Sequence, residues 1–344
     1  MFTRWSLKFV VGLVLVLVGV LPAMAQDGMP PLPGDVVLGD LGAPRGLAFD
    51  ADGHLLVAVA GTGGESQFTI MGPDGEATVN AGLSGRVVSI APDGTASNRI
   101  EGFPSYAFPM ETGGVYRIIP KGESLWLLFS GNGAGNTGAF WADSIVEYDA
   151  ATLSVRNVIN LNHFEAVNDP DGRGYDTNVS DIAWGADGTL YITDAGGNDL
   201  LSWTSEGGLQ LVHAWGNDVP TSIEIADNGD LYIGFLGEGM APGAGKVEHW
   251  SGGELVETFS GLNTVSDILL DGESLYAVQL TVFTEQGPGP GSVVLVSTDG
   301  VTPVAEGLPA PFGIAQGPDG ALYVTFGTLA LAPGMTGGVV RLER

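Results

Sequence analysis

An all-β fold, a six-bladed β-propeller closed by an N-terminal strand in its last blade, is what this 344-residue sequence predicts, on three observations. The first is a motif that recurs six times in the same order, an apolar run, a turn ending in Gly and a second apolar run. The copies are GLAFDADGHLLVAV (46–59), YRIIPKGESLWLLF (116–129), DIAWGADGTLYITD (181–194), SIEIADNGDLYIGF (222–235), DILLDGESLYAVQL (267–280) and GIAQGPDGALYVTF (313–326). The turns, Asp-Gly or Asn-Gly in most copies, supply the positive φ angles that tight hairpin loops need, so each copy reads as a β-hairpin. The second observation is spacing: the turn glycines Gly53, Gly122, Gly188, Gly229, Gly272 and Gly320 recur at intervals that suit one four-stranded blade each, of about 40–50 residues, with insertions in the two longer intervals. The third is an unpaired strand at each end of the chain.

Taken in order, each hairpin is followed by candidates for a third and a fourth strand. Gly85–Pro92 and Thr95–Glu101 complete blade 1, Asp143–Tyr148 and Leu153–Leu161 blade 2, and Asp199–Thr204 and Leu209–Trp215 blade 3. Lys246–Trp250 and Glu254–Phe259 complete blade 4, and Gly291–Ser297 and Thr302–Glu306 blade 5. Blade 6 reaches Gly338–Leu342 and stops one strand short. Asp35–Leu41 (DVVLGDL), which has no hairpin partner nearby, is expected beside that strand, where it would close the ring and leave no open edge. Gly61–Ser84 in blade 1 and Gly131–Trp141 in blade 2 are insertions, and long loops on a regular scaffold are where sites are usually built.

The first residues read as an address. Arg4 and Lys8 precede the apolar run Phe9–Leu21, too short to span a bilayer, and Ala23-Met24-Ala25 has the small-x-small pattern of a cleavage site. Export to the periplasm, cell surface or medium is therefore expected, with residues 1–25 removed as a signal peptide and no membrane contact afterwards. Residues 26–34 (QDGMPPLPG) form a Pro-rich linker, and 35–344 a single propeller domain. There is no cysteine, so the fold must rest on its core rather than on disulfides. Forty Asp and Glu face twelve Lys and Arg, a net charge of −28, and a field of that sign repels phosphate backbones and anionic lipid surfaces. Nucleic acid is not an expected partner.

The usual catalytic signatures are absent: no His-Glu-x-x-His, no Gly-x-Ser-x-Gly, no phosphate-cradling loop and no thiol. One segment departs from the repeat. Between blades 2 and 3, Asn162–Asn178 (NHFEAVNDPDGRGYDTN) concentrates carboxylates and asparagines, and Asp169, Asp171 and Asp176 resemble an oxygen-ligand loop for a hard cation such as Ca²⁺, though not with EF-hand spacing. Glu165, Asp171, Asp176 and Asp181 are the candidate metal ligands. The same region carries a family resemblance. Phe164-Glu165-Ala166-x-Asn168-x-Pro170-Asp171-Gly172, Asp176-x-Asn178, Asp194–Leu201 (DAGGNDLL) and Val219-Pro220-Thr221-Ser222 strongly resemble the ScyD/ScyE family, exported propellers named for a scytonemin biosynthesis cluster. Val36–Leu47, Gly85–Gly94 and the blade 6 hairpin fit its pattern, whereas Asn168-Asp169 and Val115-Tyr116-Arg117 depart from it. The resemblance implies an exported NHL-like or SMP-30-like propeller without assigning a reaction.

In a propeller the innermost strands line a central channel. Aligning the six copies places Arg45-Gly46, Tyr116-Arg117, Ser180-Asp181, Thr221-Ser222, Ser266-Asp267 and Phe312-Gly313 at equivalent positions around its mouth. Arg45, Tyr116, Arg117, Asn178, Asp181, Asp194, Asn198 and Asp267 are accordingly the candidate ligand-binding residues, and no catalytic residue is assigned. Two functions compete. One is a non-catalytic or accessory binding propeller that offers its axis to a small molecule or a protein partner. The other is a metal-dependent hydrolase or lactonase of SMP-30-like type, for which a Glu at the channel entrance is expected. Here the entrance carries Asp181 and Asp267, and Glu224 lies two residues deeper. A lyase would need His163, which has no visible partner in the sequence.

Overall fold

A computed structural model describes residues 31–72, 75–131, 141–284, 287–330 and 335–344. The expected signal peptide, most of the linker and all but the ends of the blade 2 insertion lie outside the described residues. Among those described, twenty-four strands form six four-stranded antiparallel blades. Blade 1 is Pro44–Phe49, Leu55–Val59, Gly75–Ile90 and Ala96–Ala107, and blade 2 is Thr112–Lys121, Ser124–Ser130, Ser144–Asp149 and Val155–Asn160. The outermost strand of blade 1 runs on to pair Tyr106 with Gly113 and Ala107 with Thr112, which fuses the two blades into one sheet. Blades 3, 4 and 5 begin at Val179, Pro220 and Val265, and blade 6 at Ile314.

Asp35–Leu41 lies where the sequence placed it. It pairs antiparallel with Gly337–Leu342, with Asp35 opposite Arg341, Val36 opposite Val340 and Leu41 opposite Gly337. The last blade is therefore built from both ends of the described chain. A separate apolar core fills each of the six junctions between blades. Leu56, Val87 and Phe103 meet Ile118, Leu127 and Val146 between blades 1 and 2, and Leu200 meets Ile223 and Ile233 between blades 3 and 4. At the closing junction Leu41 and Val339 meet Leu47, Leu55 and Val57. Strand alternation produces these cores, because every second side chain of a middle strand faces one neighbouring blade and the rest face the other.

Three departures from the sequence reading have physical causes. The third strand of blade 1 starts at Gly75 rather than Gly85, because the insertion folds back as a ribbon in which Ser66–Gly72 pairs with the beginning of that strand. Blade 5 carries a short extra hairpin, Phe283–Thr284 with Gly287–Pro288. The segment read as a loop from Asn162 begins as a helix, Leu161–Asn168, whose N-cap Asn160 accepts a hydrogen bond from the His163 backbone N–H.

The innermost ladder also has a feature that recurs around the ring. In blades 1 to 5 the register slips by one residue near the start of the first strand. Val115 and Arg117 face Phe129 and Leu128, Val179 and Asp181 face Asp194 and Thr193, and Val265 and Asp267 face Gln279 and Val278. Blade 6 does the equivalent through Thr325, whose carbonyl accepts from Phe312 N–H while its own N–H donates to Gly313. These are β-bulges, which re-aim a side chain at the cost of one ladder position. The supernumerary residues are Arg45, Tyr116, Ser180, Thr221, Ser266 and Phe312.

Candidate functional site

Those six bulge residues, one from each blade, line a single small cavity on the ring axis, of about 50 Å³ and continuous with solvent. Glu111, Asn178, Ala195, Val219, Leu236 and Leu280 complete its wall. The cavity is largely apolar with a few polar groups converging on it, the usual character of a small-molecule site. Arg45 is almost fully buried. Its guanidinium carbon lies 4.2 Å from the centroid of the Tyr116 ring and 4.8 Å from that of Phe312, and it donates to the Thr112 carbonyl at 2.8 Å. Glu111 sits 3.4 Å from Arg45 Nη2 and accepts a 2.7 Å hydrogen bond from the Tyr116 hydroxyl.

The hydroxyls of the wall bind neighbouring blades. Ser180 Oγ donates to the Pro220 carbonyl, Thr221 Oγ1 to that of Val265 and Ser266 Oγ to that of Phe312, at 2.7–3.0 Å. Thr325 Oγ1 donates to the Arg45 carbonyl. Each blade from the third to the sixth is thus stitched to the next at the mouth.

Beneath the mouth lies an ionic plug. Arg117 Nε is 2.9 Å from Asp181 Oδ1 and Nη1 is 2.6 Å from Asp267 Oδ2, so one side chain of blade 2 joins blades 3 and 5. Gly46 makes room for it, since a Cβ there would stand 2.6 Å from Arg117 Cδ. Asp181 also accepts from the N–H of Ile223 in blade 4, and Asp267 from the N–H of Ile314 in blade 6. Burial disfavours the Arg117 charge, but the two aspartates outweigh it and raise its pKa. Arg117, Asp181 and Asp267 were expected at the mouth; the structure instead places them in an ionic network one layer down.

Glu224 completes this layer. Burial, followed by the charges of Asp267 and Asp181, pushes its pKa up to about 8 from an ordinary 4.5. The folded chain therefore holds this proton more tightly than the unfolded chain, and stability must fall as pH rises between about 4.5 and about 8. Glu224→Gln is expected to stabilise the protein by about 1–2 kcal/mol at pH 8.5, the shift being discounted for partial exposure, with little effect at pH 4.5. Urea midpoints of both proteins at the two pH values measure this, and a difference independent of pH would refute it.

Beside the mouth, the helix Leu161–Asn168 and the hairpin end Asp194–Asp199 enclose a second group. Asp194 and Asp199 face each other across the ladder of blade 3. Asp194 Oδ1 accepts from the N–H groups of Asn178, Gly196 and Gly197 at 2.7–3.0 Å. Asn198 Nδ2 donates to Asp171 Oδ2 at 3.0 Å, and Glu165 reaches down from the helix. Burial first, then their mutual repulsion, raises Glu165 to about 8 and Asp199 to about 10. Carboxylate oxygens of Glu165, Asp169 and Asp171 lie within 4.8 Å of one another.

Among the sequence candidates, then, Arg45, Tyr116 and Asn178 line the cavity, whereas Asp194 and Asn198 belong to the acidic group. Of the proposed metal ligands, Glu165 and Asp171 come together there, and Asp176 is near enough to perturb Glu165 electrostatically. Asp181 does not join them, because Arg117 and two backbone N–H groups occupy it. Sequence reading missed Glu111 and the approach of Asp199 to Glu165, whereas Phe312, aligned at the mouth, is found on the wall. His163 is exposed on the helix. Asp50, Asp52 and His54, another compact acidic group, form a hairpin turn in which Asp50 accepts from the N–H groups of Asp52 and His54.

No family model matches the chain, and no curated protein matches its sequence. Among solved structures, an oxidoreductase-assigned protein (glucose dehydrogenase) from Thermus thermophilus is similar over 91% of this chain and 100% of its own, with a TM-score of 0.57 and 17% identity. A gluconolactonase from Xanthomonas campestris matches over 94% and 99%, with a TM-score of 0.56 and 14% identity. Streptogramin B lyase matches over 88% and 96%, at 0.50 and 12%. At such identities the likeness is one of fold, and the chain is a β-propeller.

Proposed function

We propose that this protein is an exported, non-catalytic binding propeller of ScyD/ScyE type that presents its axial mouth to a small, largely apolar ligand carrying a polar group. The observation that carries this reading is the cavity wall, where six blades contribute one bulge residue each and Arg45, packed against the edge-to-face pair of Tyr116 and Phe312, is the charged group beside Glu111. A planar aromatic ring suits the apolar side, and a hydroxyl or carboxyl suits the Arg45–Glu111 side. The leader sequence supports export, and the motifs from Phe164 to Leu201 support the family.

Thermal shift and calorimetric titration with indole and 4-hydroxyphenylacetate test the proposal. Binding of at least one probe is expected. Thr221→Trp, which fills the mouth from a partly exposed position, should weaken it at least about tenfold, a loss of ~1.4 kcal/mol. Failure of both probes to bind, or unchanged affinity in the variant, would refute the reading.

A second reading, a metal-dependent hydrolase or lactonase, draws on the shared fold with the gluconolactonase. It is the weaker because both axial aspartates are already engaged by Arg117 and by backbone donors. Hydrolysis of glucono-δ-lactone that EDTA abolishes would reverse the order.

A further inference from the structure

The acidic group beside the mouth buries more carboxyl groups than its surroundings can satisfy. Glu165 is 2% exposed, Asp194 1% and Asp199 0%. The Asp171 side chain is 2% exposed. The nearest cation is Arg173, at the edge, with Nε 4.0 Å from Asp171 Oδ2. Asp194 and Asp171 have hydrogen-bond donors. Asp199 has none for either oxygen, and Glu165 has none for Oε1. Leaving buried carboxylate oxygens without donors is among the costliest arrangements in a protein interior.

The local geometry shows what these oxygens face. A Cβ built on Gly197 would lie 3.3 Å from Asp199 Oδ2, 3.4 Å from Glu165 Oε2 and 3.4 Å from Asp194 Cγ. The missing side chain of Gly197 therefore leaves a small space walled by three carboxylates, with Asp171 fixed nearby through Asn198. At Gly196, a Cβ would meet the Asp176 carbonyl oxygen at 2.1 Å, so the two glycines let the hairpin end press directly against the loop that follows the helix. An all-oxygen donor set with several carboxylates suits a hard divalent cation, and the absence of imidazole or thiolate argues against zinc.

We propose that Glu165, Asp169 and Asp171, with the unpartnered Asp199 beside them, hold one Ca²⁺ ion that clasps the helix Leu161–Asn168 and its following loop to the hairpin end of blade 3. The ion neutralises carboxylates that otherwise repel each other across two segments distant in sequence. Its position is off the ring axis, behind Asn178 and Ala195, which form part of the mouth wall. The clasp is therefore a positioning device for that wall, and it does not depend on which ligand the mouth takes.

The test is calorimetric titration of the full mature chain, stripped with EDTA, using CaCl₂ alone, together with thermal unfolding with and without the metal. One site per chain is expected, and a rise in Tm of about 5 °C or more at saturating Ca²⁺. Asp199→Asn and Glu165→Gln replace a carboxyl group by a neutral amide of the same volume, so each should be at least as stable as the natural chain in EDTA. Each should also bind Ca²⁺ at least about tenfold more weakly. Asp50→Asn, in the solvent-facing hairpin turn, should leave the response intact. No Ca²⁺-dependent heat and no Tm shift in the natural chain, or natural affinity in both cluster variants, would overturn the proposal.

Discussion

Arg117→Met is expected to destabilise the protein by about 3–5 kcal/mol, as judged by the urea midpoint, more than any other single substitution considered for this chain. The methionine fills most of the volume but leaves Asp181 and Asp267 buried beneath the mouth without their cation. Breaking a buried pair by removing one partner costs far more than the net worth of the pair, because the remaining charge keeps its desolvation penalty. Two aspartates share this arginine, at 2.9 and 2.6 Å, so the penalty falls on both. The explanation has its own control. In the triple variant Arg117→Met, Asp181→Asn, Asp267→Asn the charges are gone and much of the stability should return. Arg117→Lys should fall between, since one ammonium cannot present two separated donors to two blades. A loss below about 1 kcal/mol in the single variant would mean that the plug is incidental to the ring.

Deleting residues 27–41 should have the other large effect. This truncation removes Asp35–Leu41 from the edge of the last blade and strips the Gly337–Leu342 strand of its outer partner, leaving Leu322–Phe326 on the inner side. Leu41 leaves the core between blades 6 and 1, and the half-buried Val37 and Leu38 leave with it. At about 1.5–3 kcal/mol for a fully buried aliphatic side chain and less for the others, the loss is about 3–5 kcal/mol before the exposed edge is considered. That edge carries Val339 and Val340, both fully buried in the intact ring, and an uncovered apolar edge recruits other chains. The truncated protein should therefore unfold at lower temperature and sediment as aggregates. An unchanged Tm and a monodisperse monomer would show that the ring is held shut elsewhere.

The ring was legible because its instructions are local. Turn chemistry at Gly53, Gly188, Gly229 and Gly320 and the alternation on either side announce each inner hairpin without reference to the rest of the molecule. Closure was legible for the same reason, since Asp35–Leu41 reads as a strand with nothing near it to pair with. What could not be read depends on distance in space. Arg117 and Asp267 meet although they lie 150 positions apart, and no pattern near either one records the contact. The eight-residue helix is too short for its periodicity to stand out, and its acidic and asparagine-rich continuation reads as a turn. Asp199 was visible as a residue but not as a partner of Glu165, because their approach needs both the helix and the paired glycines Gly196 and Gly197. The bulges left no trace at all, since one extra residue in a ladder changes the pairing of two strands without altering the alternation within either.

The six bulges also break the symmetry that the repeat imposes. Blades 3, 4 and 5 deliver Ser180, Thr221 and Ser266 to the axis, while blades 6, 1 and 2 deliver Phe312, Arg45 and Tyr116. The rim is therefore two-sided: three short hydroxyl side chains on one half, an aromatic and cationic wall on the other. A guest of the proposed kind would enter in one orientation, flat side to the wall, although the scaffold around it is close to six-fold. Because each of these residues is supernumerary to its ladder, the wall can be rewritten without moving a strand. The short half is less free, since its hydroxyls also tie one blade to the next, so specificity and cohesion are assigned to opposite sides of the same rim.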